Sequence, residues 1–66
     1  MHNTIPTLVN IVKNAESEAA ADATIAEQFQ KLSKRAAKNV RQDVQDYIED
    51  KMTESQLSYH LSEFGI

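Results

Sequence analysis

Two histidines, His2 and His60, are the only imidazoles of this 66-residue chain, and no cysteine accompanies them. A zinc centre gathers three or four His, Cys or carboxylate ligands at short, repeated spacing, and neither histidine stands in an H-x-x-x-H pattern. His60, between Tyr59 and Leu61, reads as a half-buried packing residue, and His2 as part of a frayed end. Asp43, Asp46 and Asp50 recur at steps of three and four, which places successive carboxylates on one helix face. Such pairs hold a metal when a Glu-x-x-His companion faces them; without one they read as a solvated surface. The absence of cysteine excludes disulfides, iron–sulfur clusters and a thiolate nucleophile. A single glycine leaves no phosphate-cradling loop, and no nucleophile motif is present. The expectation is a protein that is not an enzyme, with no catalytic residue, no metal and no cofactor.

Charge is the chemistry that remains. Ten acids against seven bases give a net charge of −3, but the signs are segregated. Glu16, Glu18, Asp22 and Glu27 precede a run of five bases, Lys31, Lys34, Arg35, Lys38 and Arg41, with no acid among them. Asp43, Asp46, Glu49, Asp50, Glu54 and Glu63 follow, opposed by Lys51 alone. On a helix the five bases share an arc of about 120°, opposite the Phe29/Leu32/Val40 stripe. That arc is a candidate contact for phosphate or for an acidic partner. A plainer reading is a solvated outer face whose charges pair with the flanking acids. No aromatic interleaves the bases for stacking and the whole chain is acidic, so tight nucleic-acid binding is not expected.

Helices must position these groups. One Gly and one Pro leave little material for tight hairpins, and this argues against an all-β fold. Ile5, Leu8, Val9 and Val12 fall at i, i+3, i+4 and i+7, predicting a helix over about residues 4–15 with Thr4 as N-cap. Pro6 is tolerable in its first turn. A break is expected near residues 16–23, because Thr24-Ile25-Ala26-Glu27 matches a capping box. From there Ile25, Phe29, Leu32, Ala36, Val40, Val44, Tyr47 and Ile48 predict one rod over residues 25–50, about 39 Å long. An unbroken helix through residues 16–23 is the alternative.

Thr53-Glu54-Ser55-Gln56 repeats the capping-box pattern, and Leu57, Leu61 and Phe64 predict a helix over about residues 54–64. Gly65 follows as a left-handed stop, with Ile66 at the apolar position of a Schellman motif. The segment from Met52 to Ile66 resembles the recognition-helix end of some helix-turn-helix domains, in which a polar cap precedes a helix closing on Phe/Leu-Gly-Ile. The resemblance covers fifteen residues and implies DNA reading by the last helix. Two departures stand against it. Tyr47 and Lys51 occupy positions where a small residue and a turn glycine are usual, and Glu54, Ser55, Ser58, Tyr59 and Ser62 offer no cation to bases or phosphates.

The chain therefore predicts a single all-α domain of three helices with a long central one. A 66-residue chain has barely enough core to stand alone. Two short helices cover a long rod incompletely, so packing as a dimer along the rod is expected. No segment has the basic start and apolar run of a signal peptide or the length of a membrane span, and no lipidation motif appears at either end. A cytoplasmic location is the expectation, and an opening Met with a closing helix cap is what a complete small protein shows. The expected function is a small regulatory or adaptor protein, an inhibitor being one form of it, that binds another protein through a helical surface and acts by occupancy. The contacts would be Lys31, Lys34, Arg35, Lys38, Arg41 and Tyr59. The alternatives are a helix-turn-helix-like DNA- or RNA-binding regulator and a structural assembly subunit.

Overall fold

The computed structural model of the chain describes residues 4–66; His2 lies outside the described residues. Among them the chain forms four α-helices and no strand: α1 Thr4–Asn14, α2 Glu18–Gln28, α3 Lys34–Ile48 and α4 Glu54–Glu63. The all-helical class is as the sequence predicts, but the count is four rather than three. The extra helix comes from a turn at residues 29–33, which cuts the expected rod over 25–50 in two. The described residues measure 25 × 23 × 19 Å along their principal axes, too short to contain a straight rod of 26 helical residues.

Each boundary has a local cause. The α1–α2 link is Ala15, Glu16 and Ser17, at the edge of the expected break. Ser17 is extended (φ −155°, ψ 167°) and its hydroxyl accepts from the Ala20 N–H at 3.1 Å, capping α2. Thr24 therefore lies inside α2 and caps nothing. Its hydroxyl donates back to the Ala20 carbonyl at 3.0 Å, the usual recourse of a threonine in a helix interior. α2 ends where the Phe29 N–H makes the last bond, to the Ile25 carbonyl, at 2.8 Å. Ser33 then adopts extended backbone (φ −70°, ψ 167°) and accepts from Ala36 N–H at 3.1 Å, starting α3.

The turn lets α3 fold back against α2. α3 packs against α1, α2 and α4, so it is the central element, though it has fifteen residues. Its buried positions are Ala37, Val40, Arg41 and Val44, at the 3–1–3 spacing of one helix face. Ala37 is fully buried and Ala36 half-buried, which moves the face one residue from the expected stripe. Leu8, Ile25, Leu32, Leu57 and Leu61 close the core around them. α2 lies against one flank of α3.

The last junction is the most fully bonded. Asp50 takes a left-handed conformation (φ 63°), its N–H bonds to the Tyr47 carbonyl at 3.1 Å, and Lys51 N–H bonds to the Asp46 carbonyl at 2.8 Å. This is a Schellman motif with aspartate at the position glycine prefers. Thr53 and Gln56 form the expected capping box in both directions. α4 closes with a second Schellman motif, as the sequence predicts. Gly65 has φ 80°, and the N–H groups of Gly65 and Ile66 bond to the Ser62 and Leu61 carbonyls.

Candidate functional site

The turn and the first half of α3 carry the five bases that the sequence singles out, and the fold divides them. Lys31, in the turn, and Lys34, Arg35 and Lys38, on α3, are exposed. Arg41 is 5% exposed and belongs to the α2–α3 interface, not to an outer stripe. The reason is geometric: folding α3 back on α2 brings Asp22 opposite Arg41. Arg41 Nε donates to Asp22 Oδ1 at 2.9 Å and Nη1 to Gln45 Oε1 at 3.0 Å, with Glu18 Oε2 at 3.5 Å from Nη1. A buried guanidinium is tolerable only when it is paired and hydrogen-bonded, and these three partners engage its Nε and Nη1.

The remaining four bases have no acid within ion-pairing distance; among the described residues the ion pairs involve Arg41, Lys51 and His60. The acids expected to neutralise the stripe are engaged elsewhere or stand apart. Glu18 and Asp22 serve Arg41. Asp43 faces α4, where His60 Nδ1 lies 3.3 Å from its Oδ2. Asp50 occupies the left-handed turn position, so Asp43, Asp46 and Asp50 do not form one carboxylate row. Among the described residues no group of three His, Asp or Glu side chains is arranged to hold a metal.

α3 has its charges set against its own dipole. A helix favours acids in its first turn and bases in its last; α3 has no acid in the first and no base in the last. Lys34 and Arg35 open it, and Glu49 and Asp50 follow its end. Around the cations the exposed side chains are Gln30, Ser33, Asn39 and Gln42. Leu32, Ala37 and Val40 are turned inward, leaving no exposed apolar residue between 30 and 42.

Tyr59 stands on α4, 66% exposed, with its ring edge-on to His60 at a centroid distance of 6.3 Å. No hydrogen bond or ring contact joins it to the cationic residues. Glu54, Ser55, Ser58 and Ser62 are exposed with it, so the polar face of α4 is as free of cations as its sequence implies. The sequence could not reveal the pairs Arg41–Asp22 and His60–Asp43, because each joins separate helices. A cleft of about 330 Å³ lies beside Arg41, lined by residues including Val12, Lys13, Ser17, Gln45 and Ile48. Glu49 sits at its edge, and its carboxyl is held below the usual carboxylate range. Hydrogen bonds from Lys51 and then Gln45 cause this, followed by the Lys51 charge.

Compared with protein-family models, curated proteins and solved structures, the chain has no significant match. No described helix is long and apolar enough to cross a membrane.

Proposed function

We propose that the protein is a non-enzymatic binding module, a small regulator or adaptor that acts by occupying a negatively charged macromolecular surface. The residues that carry the contact are Lys31, Lys34, Arg35 and Lys38. The observation behind this reading is four exposed bases, unpaired with any acid, two of which, Lys34 and Arg35, open a helix whose dipole disfavours them. Cations in a first turn cost about 0.3–1 kcal/mol each, and no acid pairs with Lys34 or Arg35 to offset that. A local rule broken without internal compensation is characteristic of a surface kept for a partner.

Arg41 is left out of this surface because its charge is spent on Asp22, Glu18 and Gln45. Tyr59 is left out because it stands on another helix. Self-association was expected from a rod with an open flank; with α2 laid against α3, we propose that the binding species is a monomer. Sedimentation equilibrium at micromolar concentration is then expected to return the chain mass of 7.4 kDa.

Retention on immobilised heparin, a generic polyanion, tests the reading. The wild-type protein, despite its net charge of −3, is expected to bind at about 50 mM salt. The K34A/R35A/K38A variant is expected to flow through with an unchanged circular-dichroism spectrum. Wild-type protein in the flow-through, or a variant retained equally, overturns the proposal.

A further inference from the structure

We propose that the partner of this surface is duplex DNA, entered through its major groove by the first half of α3. The inference rests on the reading above and names the occupant of the same face.

Four observations favour this occupant. The first is the make-up of the face. A protein-docking surface has an apolar or aromatic centre and is poor in lysine, whereas the exposed residues between 30 and 42 are all polar and three are lysines. Protein–DNA interfaces are polar and strongly positive. The second is how residue types are distributed. Lys34, Arg35, Lys38, Asn39 and Gln42 are exposed and fall within an arc of about 140° on α3. Lysines suit phosphates, while Arg, Asn and Gln are the side chains whose forked donors and acceptors match base edges.

The third is shape. A helix about 10–12 Å across fits the major groove of B-DNA, about 12 Å wide, while the corresponding groove of A-form RNA is too narrow. The turn at residues 29–33 makes Lys34 the first residue of a helix instead of a position in the middle of a rod. The fourth is the lack of an exposed aromatic on the face, which counts against nucleic acid in the sequence but bears on single strands and not on a duplex read in its groove. Single strands are held by stacking on aromatic platforms, and Tyr59, the exposed large hydrophobic residue, belongs to α4. The acidic remainder of the molecule repels the phosphates and so orients the cationic face toward them.

Fluorescence anisotropy with three labelled probes tests the assignment: a mixed-sequence duplex of about 20 base pairs, one of its single strands, and a poly-glutamate peptide of similar charge. Duplex binding at about 50 mM salt is expected to exceed the other two at least tenfold and to fall about fortyfold by 200 mM, as phosphate contacts from the three lysines require. K34A/R35A/K38A is expected to abolish it. Lys51→Ala, which removes a base already paired with Glu49, is expected to leave it intact. Poly-glutamate or the single strand binding as tightly as the duplex overturns the DNA assignment while sustaining the wider reading of an anionic partner. No binding to any probe, or binding indifferent to the triple variant, overturns both.

Discussion

The two junctions that flank α3 are built to different standards. At residues 49–53 every device is present: a Schellman stop, a two-way capping box and an ion pair between Lys51 and Glu49 at 3.2 Å. Met52 and Leu57 take the positions of a hydrophobic staple, the first packed on the core and the second fully buried. At residues 29–33 a staple of Leu32 and Ala37 is also present, but one serine hydroxyl caps the helix, no side chain returns the bond, and four bases crowd nearby with no acid beside them. One junction is arranged for stability. The other accepts a loss of stability, which is why the binding surface is assigned there.

Paired and free cations are the sharpest form of the contrast, and Arg41 gives its largest expected effect. Arg41→Ala removes a buried guanidinium and leaves Asp22, whose side chain is 24% exposed, facing an apolar interface. The expected loss is about 2–3 kcal/mol, or a fall in Tm of about 10–20 °C for a chain of this size. Lys38→Ala, three residues earlier, is expected to change stability by less than about 0.5 kcal/mol. Thermal denaturation of both variants decides the matter. Equal losses would erase the distinction between the interface arginine and the surface lysine.

The caps come next. Thr53→Ala removes the hydroxyl that accepts from Gln56 N–H while the N–H of residue 53 keeps its bond to Gln56 Oε1, and is expected to cost about 1 kcal/mol, against about 0.5–1 kcal/mol for Ser33→Ala. Asp50→Gly should move the other way. Its left-handed backbone (φ 63°) strains a residue with a Cβ, and glycine relieves about 1 kcal/mol at such a stop. Urea denaturation compares the three, and a destabilised Asp50→Gly protein would show that the aspartate side chain contributes more than its backbone strain costs.

The same junctions explain what the sequence disclosed. α1 and α4 could be read closely, because Ile5, Leu8, Val9 and Val12 and then Thr53, Gln56, Gly65 and Ile66 are local signals that the fold does not override. The turn at residues 29–33 was hidden. Phe29 and Leu32 pack inward from the turn, so their spacing continues the helical stripe, and Ser33 lacks a Glu or Gln at position 36 to complete a box. Its signal was the staple pair, Leu32 before the cap and Ala37 four residues after it, both buried. Thr24-x-x-Glu27 had the stronger pattern but lies within a helix already capped by Ser17. The candidate surface was legible as a run of bases. Which of them are free was not, since that depends on Asp22 reaching Arg41 across the fold-back.

Stability and binding part company at Lys34. Placing an acid at the first position of α3 satisfies the dipole, so Lys34→Glu is expected to stabilise the protein by about 0.3–1 kcal/mol. The same change should remove retention on heparin. A variant that is more stable and no longer binds is the signature of a residue kept for a partner. One that is less stable would mean Lys34 supports the fold through a contact with α2, and the surface assignment would fail.

The smallest effect belongs to the well-bonded junction. Hydrogen bonds from Lys51 and Gln45, at 3.2 and 3.3 Å, hold the Glu49 carboxyl below the usual range. A group whose pKa is lower in the folded state binds fewer protons there than in the unfolded chain. Its contribution is therefore present above the unfolded pKa and is lost as pH falls through the folded value. Glu49 is exposed, so solvent screens the pair and the stability change is slight; the titration itself is the measurable quantity. Carboxyl-carbon NMR is expected to place Glu49 below the usual carboxylate range, and Lys51→Met should raise it toward that range. An unchanged Glu49 in that variant would mean that the Lys51 contact does not persist in solution, and the contrast between the two junctions would then rest on the caps alone.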